Sequence, residues 1–293
     1  MSINYPKISI VTPNYNGAEY LEETILSVLN QNYPNLEYII IDGGSSDNSI
    51  DIIKKYEDQL SYWVSEPDKG LYNEIQKGFE LSTGEIMAWI NSDDMYVKGA
   101  FSIVSEIFFN FKQVYWLLGI PSLYDEKGRI VNIQKFKRWS KFDYYINDYE
   151  WIQQESVFWR RSLWESSGSK MNTNLKLAGD LELWTRFFRK EKLYSIDALL
   201  SGFRVRSSNQ LSLDSIEDYH KEAKEVLKLE LNTKASEEDR LKVNQILKNK
   251  EIDIISNRIS RFYKSKFNNK KISFEYAPLF YFDRISQSFK LKK

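Results

Sequence analysis

From Lys7 onward, short apolar runs alternate with stretches whose apolar positions recur every three or four residues. Lys7 to Thr12, Glu37 to Ile41, Tyr62 to Ser65 and Ile86 to Ile90 have the length and β-branched or aromatic content of strands. Between them, Ala18, Leu21, Ile25 and Val28 share one helical face, and so do Ile50, Ile53 and Tyr56. A third helix is expected from Leu71 to Leu81, broken at Thr83-Gly84. The chain up to Met95 therefore reads β-α-β-α-β-α-β, the signature of a parallel sheet with helices on its faces. A helix from Ala100 to Phe108, strands at Val114 to Leu118 and Ser156 to Trp159, a helix entered at Asp180 and a last strand within Leu199 to Arg206 extend the pattern. From Leu213 charged helix formers dominate, which predicts an α/β body over residues 1–212 and a helical, basic extension over 213–293.

The polar residues that end the apolar runs come next. In a parallel sheet the carboxyl ends of the strands lie on one edge, and ligands bind there. The first strand is followed by Pro13-Asn14-Tyr15-Asn16-Gly17, the second ends at Asp42-Gly43-Gly44, and the fourth stops at Asn91-Ser92-Asp93-Asp94. Each alone is explained by turn chemistry: Asp42 by an Asp-Gly turn, and Asp93-Asp94 by a turn that caps the next helix. Together, Tyr15, Asp42 and the Asp93-Asp94 pair make a pocket. Adjacent carboxylates in it call for a compensating cation or hydrogen-bonding ligand.

Composition removes several chemistries. The chain has no cysteine and one histidine, His220, expected to be a solvated surface residue. Disulfides, thiolate catalysis and a multi-histidine metal site are thereby excluded. No run of about 18 apolar residues occurs, and Met1 to Pro6 lacks the features of a signal peptide, so a cytoplasmic location is expected. Net charge is zero but unevenly spread. From Arg258 onward ten cations stand against two anions, so the last 36 residues carry +8 and the rest −8. That tail points to an anionic partner. Dinucleotide enzymes share the alternation, but they need G-x-G-x-x-G after the first strand, where this chain has a single glycine; the P-loop pattern is missing as well. A nucleotide would instead be held by a ring stacked on Tyr15, a base edge read by Asp42 and a diphosphate neutralised by a metal on Asp94.

The segments "ISIVTPNYNGAEYLEETILSVLNQNYPNLEYIIIDGGSSDNS" and "EPDKGLYNEIQKGFELSTGEIMAWINSDD", with the later "QQESVFWRRSLWE" and "AGDLELWTR", resemble family 2 glycosyltransferases, inverting enzymes with the GT-A fold. The resemblance spans about residues 7 to 210. It implies a nucleotide-sugar half to about residue 120 and an acceptor half from 121 to 212. It implies that Pro13, Tyr15 and Asp42 line the nucleotide base, that Asp93 contacts ribose or donor sugar, and that Asp94 holds Mg²⁺ or Mn²⁺ on the diphosphate. Lys69 and Gly70 would sit near the donor, and Asp180 matches the family's catalytic base. Two departures stand out: Gly43 replaces a second Asp after the second strand, and Phe203-Arg204-Val205-Arg206 stands where many members carry a histidine. Arg206 cannot ligate a metal; it would contact the diphosphate as a fixed cation or be a plain surface arginine.

An inverting displacement needs one base opposite the leaving group. Asp180 and Glu182 qualify by type, but residues two apart on a helix point about 200° from each other, so only one can face the site. Asp180 begins the helix, where the positive end favours an ionised carboxylate, although a simple N-cap explains it equally well. Glu155 is the next candidate. The function that the resemblance implies is metal-dependent transfer of a sugar from a nucleoside diphosphate, of the UDP-linked class, to a hydroxyl of a glycan or lipid-linked acceptor in surface polysaccharide synthesis. A degenerate binding module of the same fold is the alternative. In the tail, Ile252, Ile255, Ile259 and Phe262, then Phe282, Ile285 and Phe289 after Pro278, follow helical spacing. Such faces suit either an anionic membrane surface, peripheral on its inner face, or packing on the body; nucleic acid is not expected, since no recognition motif accompanies the charge.

Overall fold

The computed structural model describes residues 5–207, 210, 214–259 and 274–292. The expected alternation is present. Strands β1 (Ile8–Asn14), β2 (Leu36–Asp42), β3 (Tyr62–Ser65) and β4 (Ile86–Trp89) are separated by helices α1 (Leu21–Leu29), α2 (Ser49–Lys55) and α3 (Leu71–Leu81). β1 pairs in parallel with both β2 and β4, and β2 with β3. Every residue of β1 and β4 is buried, as strands covered on both faces must be. Helix α1 turns Leu21, Ile25 and Val28 into the core, and α3 turns in Tyr72, Ile75 and Phe79.

Beyond β4 the chain forms β5 (Met95–Tyr96), α4 (Ala100–Asn110), β6 (Trp116–Leu118), β7 (Ser122–Tyr124), β8 (Ile130–Ile133) and α5 (Lys141–Tyr145). Then come β9 (Val157–Arg160), α6 (Arg161–Ser166), α7 (Gly179–Phe188), β10 (Tyr194–Ile196) and β11 (Ser201–Arg204). With two C-terminal strands, β12 (Leu279–Asp283) and β13 (Ser288–Lys292), the large sheet has nine strands in the order β13-β12-β10-β6-β9-β4-β1-β2-β3, and β9 runs antiparallel between β4 and β6. This reversal places the amino end of β9 at the carboxyl ends of its neighbours. The strand expected within Leu199 to Arg206 exists as β11, but it belongs to a second sheet ordered β5-β11-β7-β8. Many of the aromatics are core. Trp89, Trp116, Trp159 and Trp184 are all fully buried, with Trp89 and Trp184 stacked at 5.8 Å.

The extension is helical through α8 (Ile216–Thr233) and α9 (Glu237–Ile259). After Pro278 it is not. β12 (Leu279–Asp283) and β13 (Ser288–Lys292) form a hairpin whose first strand pairs in parallel with β10 at the edge of the large sheet. Phe280 and Phe289 are buried, whereas Ile285 is 96% exposed at the turn. The 282/285/289 spacing was coincidental: Leu-Phe-Tyr-Phe is a β-forming run, and β10 offers an edge that needs pairing. The hairpin packs on the body, with Phe280 against Phe111 at 4.8 Å and the Phe289 N–H donating to Glu106 Oε1 at 3.0 Å. The residues assigned to a separate extension thus complete the main sheet. Phe262 lies outside the described residues, as do the side chains expected to form a face with it. No helix among the described residues is long and apolar enough to cross a membrane.

Candidate active site

The carboxyl ends of β1, β2 and β4 meet on one edge, as parallel pairing requires. Pro13 is buried inside β1 opposite Ile41, and two residues on Tyr15 is 64% exposed, with its ring available for stacking. Asp42 differs from expectation. It is fully buried, and its two oxygens accept from five protein donors: Asn14 Nδ2 at 2.7 Å, Ser45 Oγ at 2.6 Å, Ser65 Oγ at 2.6 Å, and the N–H groups of Ser45 at 2.9 Å and Gly44 at 3.2 Å. Burial would raise its pKa, but these donors hold it below the usual carboxylate range. A carboxylate so occupied has no lone pair left for a base edge. Asp42 ties three strand ends together instead.

Beside it, a Cβ on Gly43 would lie 2.6 Å from Glu74 Oε1 and 3.3 Å from Asp68 Oδ1. Two carboxyl groups therefore fill the space that a side chain at residue 43 would take. Burial, then the hydrogen bond and charge of Asp68, push Glu74 up to about 10, so it is protonated at neutral pH. Sequence reasoning missed this pair, and the only signal for it was the glycine at 43. Lys69 is exposed on the loop after β3, and Gly70, at φ 113°, donates its N–H to Asp68 Oδ1 at 2.9 Å and precedes α3.

At the end of β4 the two aspartates part. Asp94 is fully buried; its Oδ1 accepts the Arg204 N–H at 2.8 Å and its carbonyl accepts Thr24 Oγ1 at 2.8 Å. Burial, with the charges of Asp93 and Glu155 added, raises its pKa well above the carboxylate range. Its other oxygen, Oδ2, has the Asn91 amide at a long 3.4 Å, and a cation beside it would offset the burial and the neighbouring charges. Asp93 is the partner that opens outward, and its Oδ2 sits 3.1 Å from the Arg206 guanidinium. The Arg206 guanidinium also lies over the Tyr20 ring at 6.0 Å. Arg204, unnoticed in the sequence, is a buried clamp. Its Nε donates to the Asp93 carbonyl at 2.7 Å, one terminal nitrogen pairs with Glu23 at 2.7 Å, and its plane lies 4.4 Å from the Tyr20 ring centre.

Opposite this loop stands the turn Gln154–Ser156 that leads into β9. Gln154 Nε2 donates to the Trp89 carbonyl at 2.7 Å and Gln153 Nε2 to the Ser122 carbonyl at 2.8 Å. Their Oε1 atoms, together with Glu155 Oε1, Asn91 Oδ1 and Asp180 Oδ1, are buried and have no hydrogen-bond partner among the described residues. Buried polar atoms are rarely left so; a water, an ion or a ligand commonly completes them. Burial, with the charges of Asp93 and Asp180, raises Glu155 to about 8.

Asp180 is placed with care. A Cβ on Gly179 would meet the Tyr72 ring at 2.6 Å, so only glycine lets α7 start this close to α3. Tyr72 donates its hydroxyl to the Leu177 carbonyl at 2.8 Å, and Glu222 of α8 accepts the N–H groups of Lys176, Leu177 and Ala178 at 2.9, 2.7 and 2.6 Å. The residue at the helix cap is Ala178, so Asp180 is not the N-cap. Burial lifts its pKa to about 6, partly offset by N–H groups of its own turn. Glu182 is turned away into an ion pair with Arg186 at 2.9 Å. His220 is half-buried rather than solvated, with Nδ1 3.0 Å from the Tyr149 hydroxyl.

Among the described residues no three acidic or histidine side chains converge on a point that could cage a metal. Mg²⁺ and similar ions are commonly held by one or two carboxylates plus substrate phosphates. The Asp93-Asp94 pair supplies the carboxylates that could take that role, with Arg206 a cation already beside Asp93.

Residues 9–163, more than half of the 293-residue chain, match the family described as Glycosyl transferase family 2. The chain belongs to glycosyltransferase family 2. An uncharacterized glycosyltransferase of Rickettsia typhi is 26% identical over 230 residues, 73% of this chain and 69% of that protein. A putative teichuronic acid biosynthesis glycosyltransferase of Bacillus subtilis, TuaG, is 35% identical over 96 residues, 32% of this chain and 38% of its own. Among solved structures, residues 1–349 of S. aureus TarS in complex with UDP-GlcNAc are similar with a TM-score of 0.64 and 19% identity, covering 81% of this chain and 70% of that one. The nine-stranded sheet and its strand-end pocket are thus the GT-A fold of a glycosyltransferase.

Proposed function

We propose that this glycosyltransferase moves a sugar from a nucleoside-diphosphate sugar, UDP-linked, to a hydroxyl of a glycan or lipid-linked acceptor with inversion, in surface polysaccharide synthesis. The observation that carries the reading is Asp180: a buried carboxylate with one oxygen unpartnered, built into place by Tyr72, Gly179 and Glu222, in electrostatic contact with Glu155 of the turn opposite Asp93. Tyr15 stacks on the base, and Asp68, exposed beside Gly43 and already holding the Gly70 N–H, is the solvent-facing carboxylate that reads its edge next to the buried Asp42. Lys69 and Gly70 border the donor. Mg²⁺ or Mn²⁺, held by Asp94 beside Asp93 and by the diphosphate, would neutralise the leaving charge. Arg206 then turns from Asp93 to the diphosphate, a bidentate cation on an anion. Asp180 takes the acceptor proton as the acceptor oxygen bonds to the anomeric carbon, and the bond to the diphosphate breaks with its electrons leaving on the diphosphate oxygen. The UDP-GlcNAc complex of TarS and the teichuronic acid assignment of TuaG support the donor and pathway class.

The test is turnover of UDP-, GDP- and dTDP-hexoses with Mn²⁺ and with excess chelator. Nucleoside diphosphate should be released from a UDP-sugar only when metal is present. Full activity in chelator contradicts the metal's role, and no binding of any nucleotide sugar contradicts the function.

A further inference from the structure

On the segment that leads into the turn carrying unpartnered oxygens of the pocket stands an aromatic side chain that the reaction outlined above does not use. Trp151 is 39% exposed and lies two residues before Gln153. Its ring is backed from α8, nearly parallel to His220 at 5.9 Å and 28° and tilted against Tyr219 at 5.1 Å. His220 is fixed in turn by the Tyr149 hydroxyl. Three residues on from Tyr219 along α8, Glu222 accepts the N–H groups of Leu177 and Ala178, so this aromatic group stands one helical turn from the contact that anchors the start of the Asp180 helix.

The unpartnered atoms nearby are of one kind. Gln153 Oε1, Glu155 Oε1 and Asp180 Oδ1 are all oxygens that can accept a hydrogen bond, and the Gln153 amide nitrogen is already committed to the Ser122 carbonyl. A ligand that completes this place must donate several hydrogen bonds and also lay an apolar face on an indole. A phosphate group does neither, and it would meet carboxyl groups. An acyl chain would cover the indole but leave the oxygens orphaned, at the cost of buried polar atoms without partners. A pyranose ring does both: its hydroxyls donate, and its axial C–H face lies flat on an aromatic ring.

We propose that Trp151, with Gln153 and Glu155, forms the acceptor subsite, and that the group it takes is a pyranose at the end of an acceptor glycan. The proposal rests on the reading of Asp180 as the base, because it sets the acceptor hydroxyl next to that residue.

Saturation-transfer NMR with the methyl glycosides of glucose, galactose and N-acetylglucosamine tests it, with glycerol 3-phosphate as the acyclic, phosphate-bearing probe. At least one pyranoside should receive saturation at its ring C–H protons from the wild-type chain. Trp151→Ala and Trp151→Leu should weaken its binding by about tenfold, the worth of a stacked face, and Trp151→Phe should restore most of it. UDP-sugar affinity, measured on the same samples, reports that each variant is folded. Pyranoside binding unchanged in folded Trp151→Leu overturns the proposal. So does saturation of glycerol 3-phosphate with none of the pyranosides. If nucleotide sugars bind and pyranosides do not, the subsite falls and the transferase reading stands; if neither binds, both fall.

Discussion

At the scale of single residues, the site turns on which of several adjacent carboxyl groups is spent on the fold and which is left for a ligand. Asp42 is consumed by the protein, whereas Asp93, Asp94 and Asp180 have fewer protein donors and keep capacity for a partner. Asp42→Ala should therefore act chiefly on stability: with five donors losing their acceptor, unfolding free energy should drop by about 3 kcal/mol or more. Tyr15→Ala, at an exposed ring, should leave the denaturant midpoint in place and weaken nucleoside diphosphate binding. Equal midpoints for Asp42→Ala and wild type would return Asp42 to the list of ligand contacts. The sequence could not separate these cases. It showed four acids in the right loops, but which oxygen points inward depends on groups brought from elsewhere: the Ser65 hydroxyl to Asp42, the Arg204 backbone N–H to Asp94, the Arg206 guanidinium to Asp93. Only the last of these was singled out beforehand.

At the scale of elements, the strand-helix alternation was legible up to Met95 because each buried strand is a continuous apolar run and each helix has one apolar face. The C-terminal hairpin was not, because Phe282, Ile285 and Phe289 fit helical spacing while the edge of β10 decides the pairing. The reversed strand β9 was legible as a strand, but its direction was not, and that direction is what brings Gln153 to Glu155 into the pocket. Helix α7 is where geometry is tightest. Gly179→Ala would drive a methyl group into the Tyr72 ring and shift the start of the helix that carries Asp180. Turnover should fall roughly 10²-fold, as for displacements of about an ångström at a reacting group, while donor affinity measured by calorimetry holds. Unchanged turnover would mean that Asp180 does not need its present position.

Across the whole molecule, the catalytic sheet and the C-terminal extension are one structure. Glu222 of α8 holds the approach to Asp180, and β12-β13 complete the sheet edge. We propose that the basic charge of the sequence after Arg258 holds the enzyme against an anionic membrane carrying a lipid-linked acceptor. Binding to vesicles with phosphatidylglycerol should exceed binding to phosphatidylcholine vesicles. Neutralising Lys264, Lys266, Lys270 and Lys271 should remove most of the difference, at about 1 kcal/mol per lysine. Equal sedimentation of wild type and variant would take the tail out of the account.

The central claim, that Asp180 is the base of a single displacement, is tested most directly by the pH–rate profile of wild type against Asp180→Asn. A base works only when ionised, and burial sets this one at about 6, so wild-type kcat/KM should fall as pH drops through that value. Asp180→Asn should be slower by roughly 10²–10⁴-fold at neutral pH, flat across the same range, and unchanged in donor affinity. An Asp180→Asn enzyme that is fully active, or one that keeps the acid limb near pH 6, would contradict the account.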